Sequence, residues 1–201
     1  GVYNMMQRYK SRPGQLLQAW GAGIFEFPDF GRQLAKSLTP VSQARLLFRL
    51  ANFFRPATVV ELGTSLGLTT AYLALACPQA QIISIDREEN NIRFAQALHE
   101  FLGITNITLK HGMFADVLAE LKRDGTTADF AYIDGDHSYG ATMQSIEALQ
   151  TPHKPAQQFA VHDIHWSAGM QHAWQELSHA PGAFNLRFDL FWMGILLRQP
   201  G

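Results

Sequence analysis

From residue 58 onward the chain alternates short, almost unbroken apolar runs with longer stretches whose apolar residues recur at helical spacing. Thr58 to Leu62, Gln81 to Ile85, Ile107 to Lys110, Phe130 to Ile133 and Phe159 to His162 read as strands. Leu68 to Cys77, Glu89 to Leu102, Phe114 to Lys122, Gly140 to Leu149 and Gly169 to Leu177 read as the helices that follow them, with Gly103 and Gly125 marking two of the helix ends. An earlier helix opens at Thr39-Pro40, with threonine as N-cap and proline at the first helical position, and stops at Arg55-Pro56. Its apolar residues Leu46, Leu47, Leu50, Phe53 and Phe54 share one face. Strands and helices in strict alternation imply an α/β fold whose parallel sheet is covered on both faces, and right-handed crossovers restrict it to a doubly wound sheet. The end breaks the pattern. Phe184 to Phe188 and Phe191 to Leu197 are separated only by Asp189 and Leu190, too few residues for a crossover helix, so the two must pair antiparallel.

Composition narrows the class. The 201 residues suit one domain, and 47% apolar against 16% charged residues allows a substantial core. Sixteen Lys and Arg against seventeen Asp and Glu give a net charge of −1, which argues against nucleic acid or an acidic membrane as partner. The single cysteine, Cys77, excludes an internal disulfide and any multi-cysteine zinc site. Gly63 to Ile85 holds no charge, but its glycine, proline and hydroxyl residues read as a turn, a helix and a strand of the core rather than a membrane span. No apolar signal segment is visible between Gly1 and Lys10, and the expectation is a cytoplasmic protein. Residues 1–38 carry Pro13, Gly14, Gly21, Gly23, Pro28 and Gly31 between short helical stretches and read as an N-terminal helical cap over the domain that follows.

The first strand runs straight into Gly63-Thr64-Ser65-Leu66-Gly67 and then a helix. In open α/β sheets ligands lie beyond the carboxyl ends of the strands, where this turn sits. The glycines allow a tight turn and close approach of a ligand. The spacing is G-x-x-x-G, with Ser65 in place of the middle glycine of a dinucleotide fingerprint and no lysine for a phosphate loop. The loop therefore suits a nucleoside ligand without a pyrophosphate. Asp86 ends the second strand 23 positions after Gly63, where a carboxylate accepts hydrogen bonds from both hydroxyls of a ribose.

The fourth and fifth strands end in Asp134-Gly135-Asp136-His137 and His162-Asp163-Ile164-His165. Neighbouring strand ends bring these carboxylates and imidazoles to one cleft, where they can bind a divalent cation, act as general base, or cap loops. The histidines favour a transition metal over magnesium. His99, His111, His153, His172 and His179 have no partner motif and read as ordinary surface or boundary residues. Phe25, Phe27 and Trp166 are candidates to line an acceptor pocket.

Taken together, Glu61 to Thr69, Ser84-Ile85-Asp86, Ile133 to Tyr139 and the terminal strand pair resemble the class I S-adenosylmethionine-dependent methyltransferases, specifically the small O-methyltransferase branch of catechol and caffeoyl-CoA type. The resemblance spans about residues 39 to 198, and the nearest likeness is to bacterial members of unassigned substrate, in which Asp163 to Ser167 and Asp189 to Phe191 recur. It implies a Rossmann-like, mostly parallel seven-stranded sheet with a C-terminal antiparallel hairpin, a methyltransferase domain over residues 39–201, and S-adenosyl-L-methionine as cofactor. On this pattern Gly63, Ser65 and Gly67 face the methionine part, Thr69 lies near its carboxylate, and Glu61 supports the loop and the amino group. Asp86 holds the ribose, Gly112, Met113 and Phe114 contact the adenine, and Asp134 lies near the amino group. His137 stands where catechol-type enzymes carry a catalytic lysine and is the expected base; Asp163 joins it as a catalytic residue. In metal-dependent members Asp134 and Asp163 are ligands, yet Ile164 replaces the asparagine that supplies the third, and isoleucine cannot coordinate. His162 and His165 are the neighbouring donors, so a divalent metal stays an open expectation.

The reading is therefore a methyltransferase for a small-molecule hydroxyl, without nucleic acid or membrane, compatible with a homodimer. The alternatives are a non-catalytic S-adenosylmethionine-binding module and a metal-dependent hydrolase built on the Asp/His cluster. The hydrolase leaves the glycine loop and Asp86 without a role, and a nicotinamide dehydrogenase leaves the missing middle glycine unexplained.

Overall fold

A computed structural model describes residues 40–198 apart from 152–153, 155–156, 181 and 183. The expected cap, with Phe25 and Phe27, lies outside the described residues, as do Thr39 and His153. The order of elements is α1 (Val41–Phe54), β1 (Thr58–Leu62), α2 (Leu68–Ala76), β2 (Gln81–Asp86), α3 (Glu89–Phe101), β3 (Ile107–His111), α4 (Phe114–Arg123), β4 (Phe130–Ile133), α5 (Tyr139–Leu149), β5 (Gln157–His162), α6 (Ala168–His179), β6 (Leu186–Asp189) and β7 (Met193–Arg198). The strands form one sheet in the order β3-β2-β1-β4-β5-β7-β6. β1 to β5 pair in parallel, whereas β7 is antiparallel to both β5 and β6. The alternating pattern and the terminal hairpin are thus as expected.

Two details differ. Pro40 stands just outside α1 as its N-cap and makes no side-chain capping bond; its carbonyl accepts from Gln43 and Ala44 instead. Phe191 was expected in the last strand, but it sits in the three-residue turn between Asp189 and Met193 with φ +71°. The Asp189 side chain accepts from the Phe191 backbone N–H at 2.7 Å and so holds this turn against the strand register.

The period of two along each strand divides the core between the sheet's faces. Val60, Leu62, Ile83, Ile85, Ala131 and Ile133 pack beneath α4, α5 and α6, meeting Leu118, Leu121, Ile146, Met170 and Trp174. Val59, Ile82, Phe130, Tyr132 and Ala160 face the other way, onto Leu47 and Ala51 of α1 and Leu73 and Ala74 of α2. By the same alternation Glu61 and Ser84 point into that second core, and both are fully buried. The sheet order reverses between β1 and β4, so the loops leaving these two strands part at the switch point and leave a crevice. Among the described residues no helix is long and apolar enough to cross a membrane.

Candidate functional site

The crevice at the switch point is a cleft of about 230 Å³ lined by Gly63, Ser65, Asp86, Asn91, Phe114 and Asp134, with Arg87, Glu88, Met113, Gly135 and Asp136 completing the wall. Its floor is possible only with glycine at 63. A Cβ there would lie 2.2 Å from the Asp134 carbonyl oxygen, and φ is +102°. The Gly63 N–H donates to the Ile85 carbonyl at 2.9 Å and the Asp134 N–H to that of Leu62 at 2.9 Å, which joins the ends of β1, β2 and β4 into one rim. Gly67 serves packing more than ligand approach: a Cβ would meet Ala95 of α3 at 2.6 Å.

Asp86 is the hub of the cleft. Its Oδ2 accepts from the Ser65 N–H at 2.8 Å and the Asn91 amide at 3.1 Å, and its Oδ1 from the Glu88 N–H at 2.9 Å. A carboxylate has about four acceptor sites, so capacity is left on Oδ1 for a ligand hydroxyl. On the far wall the Phe114 ring lies against Gly135, where a Cβ would come within 2.6 Å of it. Gly63, Ser65, Asp86, Met113, Phe114 and Asp134 therefore come together as expected; Glu61, Gly67, Thr69 and Gly112 are not in the lining. Gly112 stands behind it, its N–H donating to the Asp86 carbonyl at 3.0 Å.

Glu61 acts from below. Its Oε2 accepts from Thr70 Oγ1 and from Ser84 Oγ at 2.6 Å, and Ser84 Oγ is 2.7 Å from Thr64 Oγ1 in the glycine loop. Oε1 has no hydrogen-bond partner. Burial outweighs the two hydroxyls and pushes the carboxyl up to about 8, from an ordinary 4.5, with Asp134 and Asp86 adding to the rise. His99 corrects the sequence reading: it is buried rather than a surface or boundary residue, and its Nε2 lies 2.9 Å from the Gly67 carbonyl. Burial lowers its pKa against the opposing effect of that contact. The signal was available, since His99 lies on the α3 face with Phe94, Ala95 and Leu98.

Beside the cleft lies the Asp/His cluster. His137 Nε2 is 3.4 Å from Asp134 Oδ1 and 3.5 Å from Asp163 Oδ2; His162 Nδ1 is 2.9 Å from Asp134 Oδ1 and 3.4 Å from Asp163 Oδ1. These are ion-pair distances without hydrogen-bond alignment, and neither His137 Nε2 nor His162 Nδ1 has a hydrogen-bond partner. Tyr132 donates its hydroxyl to Asp134 Oδ2 at 2.9 Å, and His162 Nε2 is 3.1 Å from Gln43 Oε1 on α1. Although burial opposes it, contact with the two imidazoles holds the Asp134 carboxyl well below the carboxylate range. The Asp134 carboxylate raises His137; at His162 burial is the largest single influence and lowers the pKa, but the Asp134 and Asp163 carboxylates together outweigh it and the net shift is upward.

Asp136, His137 and Asp163 adopt φ of +64°, +48° and +55°, a conformation that non-glycine residues adopt at a cost, and this bends the loops so that their side chains turn inward. His165 was expected at the same cleft but is turned away: it lies 3.0 Å from Asp189 Oδ2 and stacks on Phe191 at 5.3 Å. Asp136 is on the wall of the cleft, apart from the cluster. Ile164 is fully buried in the core and offers no ligand. The oxygen-ligand set implied by the resemblance is therefore incomplete, while His162, reached from the fifth strand, stands among the donors. Trp166 is exposed, with its N–H donating to the Asp163 carbonyl at 2.9 Å.

Comparison with known proteins adds the following. A family model described as a methyltransferase domain matches residues 60–164. The catechol O-methyltransferase of Niastella koreensis is 29% identical over 105 residues, 51% of this chain and 47% of that protein. The chain thus spans about half the length of this relative. Among solved structures, the O-methyltransferase from Bacillus cereus in complex with S-adenosylhomocysteine superposes with a TM-score of 0.66 at 17% identity, covering 83% of this chain and 86% of that one. The O-methyltransferase TomG from Streptomyces achromogenes, involved in tomaymycin synthesis and solved with S-adenosylmethionine, gives 0.64 at 20% identity, covering 92% and 87%. At these identities the structural likeness establishes the fold.

Proposed function

The chain belongs to the methyltransferase-domain family, and from that membership we propose that it transfers the methyl group of S-adenosylmethionine to the hydroxyl of a small molecule. One observation carries the proposal: Asp134 belongs both to the wall of the nucleoside-sized cleft and to the Asp/His cluster. A cofactor in the cleft and an acceptor at the cluster would therefore meet at one carboxylate, as in-line displacement requires.

In this reading Asp86 accepts from the ribose hydroxyls, and Gly63 and Ser65 let the methionine part approach the backbone. Met113 and Phe114 flank the adenine, with Gly112 fixing the strand end behind them. Glu61, Gly67 and Thr69 shape the loop from beneath. The acceptor oxygen attacks the methyl carbon; the carbon–oxygen bond forms as the carbon–sulfur bond breaks, and S-adenosylhomocysteine leaves. The hydroxyl proton passes to the cluster, where His137 is the assigned base and Asp163 orients it. The near-neutral charge of the chain supports a small acceptor rather than a nucleic acid.

Calorimetry with S-adenosylhomocysteine tests the cofactor site. Charge-assisted bonds contribute about 1.5–3 kcal/mol each, so Asp86→Asn should weaken binding by about ten- to hundredfold. Turnover of a catechol and phenol panel, followed as S-adenosylhomocysteine release, should fall in His137→Ala. Absence of any S-adenosylhomocysteine binding by the wild-type protein would rule the reading out.

A further inference from the structure

A second cavity, of about 410 Å³, runs as a groove between α4 and α5 and adjoins the cleft described above. We propose that this groove is a separate binding site for a small amphiphilic carboxylate, a molecule with a slender apolar body and one anionic end. The site goes beyond the function proposed above and does not depend on it.

Three observations carry it. The first is a gap in the packing. Neighbouring helices ordinarily close their contact with large side chains that interdigitate. Here Ala115 and Ala119 of α4 and Ala141 and Ala148 of α5 stand along the groove, and Leu118, buried in the core, forms its floor. The volume falls within the roughly 300–1,000 Å³ that small-molecule sites occupy. The second is an unanswered hydroxyl. Ser145 lines the groove and is only 5% exposed, yet its side chain has no hydrogen-bond partner among the described residues. Leaving such a group unpaired costs free energy, and a ligand oxygen in the groove supplies the partner. The third is charge. Lys122 lines the same groove and makes no ion pair among the described residues, whereas Lys110 is held by Glu120 at 2.8 Å. An anion is the complement of an ammonium, a hydroxyl and the exposed Gln144 amide on one stretch of wall.

The placement of these groups gives the ligand its shape. Both helices start beside the cleft, at Phe114 and Tyr139, so Lys122 and Ala148 mark the far end of the groove. From Ala115 to Lys122 the helix rises by about 10.5 Å, at about 1.5 Å per residue. An apolar chain of that reach, lying over Leu118 between the alanines, brings its carboxylate to Lys122. Met113, Phe114 and Asp136 belong to both cavities, but the stretch from Leu118 to Lys122 lies outside the lining of the nucleoside-sized cleft. His137, His162 and Asp163 do not line the groove either, which separates its ligand from the acceptor.

The test uses octanoate as probe, titrated calorimetrically into the full chain with and without saturating S-adenosylhomocysteine. One octanoate per chain is expected in both conditions, with butanoate at least tenfold weaker because it buries less apolar surface. Octylammonium should be at least fivefold weaker than octanoate. Ala119→Trp, which fills the groove from an exposed position, should abolish binding. Lys122→Glu should weaken it at least fivefold, and Ser145→Ala several-fold. Near-UV circular dichroism identifies any variant that misfolds; Ala119 and Lys122 are both exposed, so at least one of them carries the comparison. Absence of saturable octanoate binding overturns the proposal. So do displacement of octanoate by S-adenosylhomocysteine, octylammonium binding as tightly as octanoate, and a folded Ala119→Trp variant that binds like wild type. Failure of S-adenosylhomocysteine to bind would remove the function proposed above, and the octanoate titrations of the variants would still decide this site.

Discussion

The buried carboxyl of Glu61 should make the protein less stable as the pH rises through the neutral range. Folding moves this group from water, where it titrates near 4.5, to a site where it titrates at about 8. Between those values the folded chain holds a proton that the unfolded chain has released. The stability this proton confers is complete below about pH 4.5 and is lost as the pH climbs through about 8. One pKa unit corresponds to about 1.36 kcal/mol, so raising the pH from about 5.5 to about 7.5 should cost roughly 2–3 kcal/mol from this group alone. Glu61→Gln removes the titration and keeps an oxygen for Thr70 and Ser84. Its amide nitrogen then occupies the unpartnered Oε1 position, a penalty that does not vary with pH. Urea unfolding followed by tryptophan fluorescence at three pH values, wild type beside variant, reads the difference in slope, and titrations common to both proteins cancel. Parallel stability profiles would show that Glu61 is ionised in the folded chain and refute the argument.

Two glycines give further outcomes. Gly63→Ala puts a methyl group against the Asp134 carbonyl at a φ of +102°; it should cost at least about 2 kcal/mol in urea unfolding and abolish S-adenosylhomocysteine binding together with it. A variant that binds normally would mean that the β1 and β4 rims are not locked as described. Gly194→Ala places its Cβ 2.3 Å from the Trp174 ring and should destabilise by about 1–3 kcal/mol, with a change in near-UV circular dichroism as the indole loses its bond to Asp189.

How far the site could be read from sequence depends on which property is asked for. Strand ends are set by runs of apolar residues, so the positions of Gly63, Asp86, Asp134 and Asp163 at one sheet edge followed from periodicity alone. Side-chain direction did not. Whether His162 or His165 joins the cluster is decided by the positive φ of Asp163 and by the pull of Asp189 on His165, and neither leaves a trace in residue spacing. Glu61 shows the converse: period-two alternation with Val60 and Leu62 already sent it to the opposite face, away from the wall of the cleft. Phe191 reads as strand because it is apolar, but the Asp189 side chain captures its N–H and turns the chain there instead.

The order of strands at the sheet's edge carries a consequence for assembly. β6 precedes β7 in the chain, yet β7 lies between β6 and β5. β6 therefore has no place in the sheet until the strand made after it has docked, and the edge of β5 stays open meanwhile. The same docking brings the Trp192 carbonyl to the Asp163 N–H at 2.8 Å, fixing the loop that carries one of the four cluster side chains. The glycine loop and its cleft depend on β1, β2 and β4 and need not wait. During synthesis the cleft at the switch point should thus take shape before the Asp/His cluster, so that the proposed cofactor site would be complete before the proposed acceptor site.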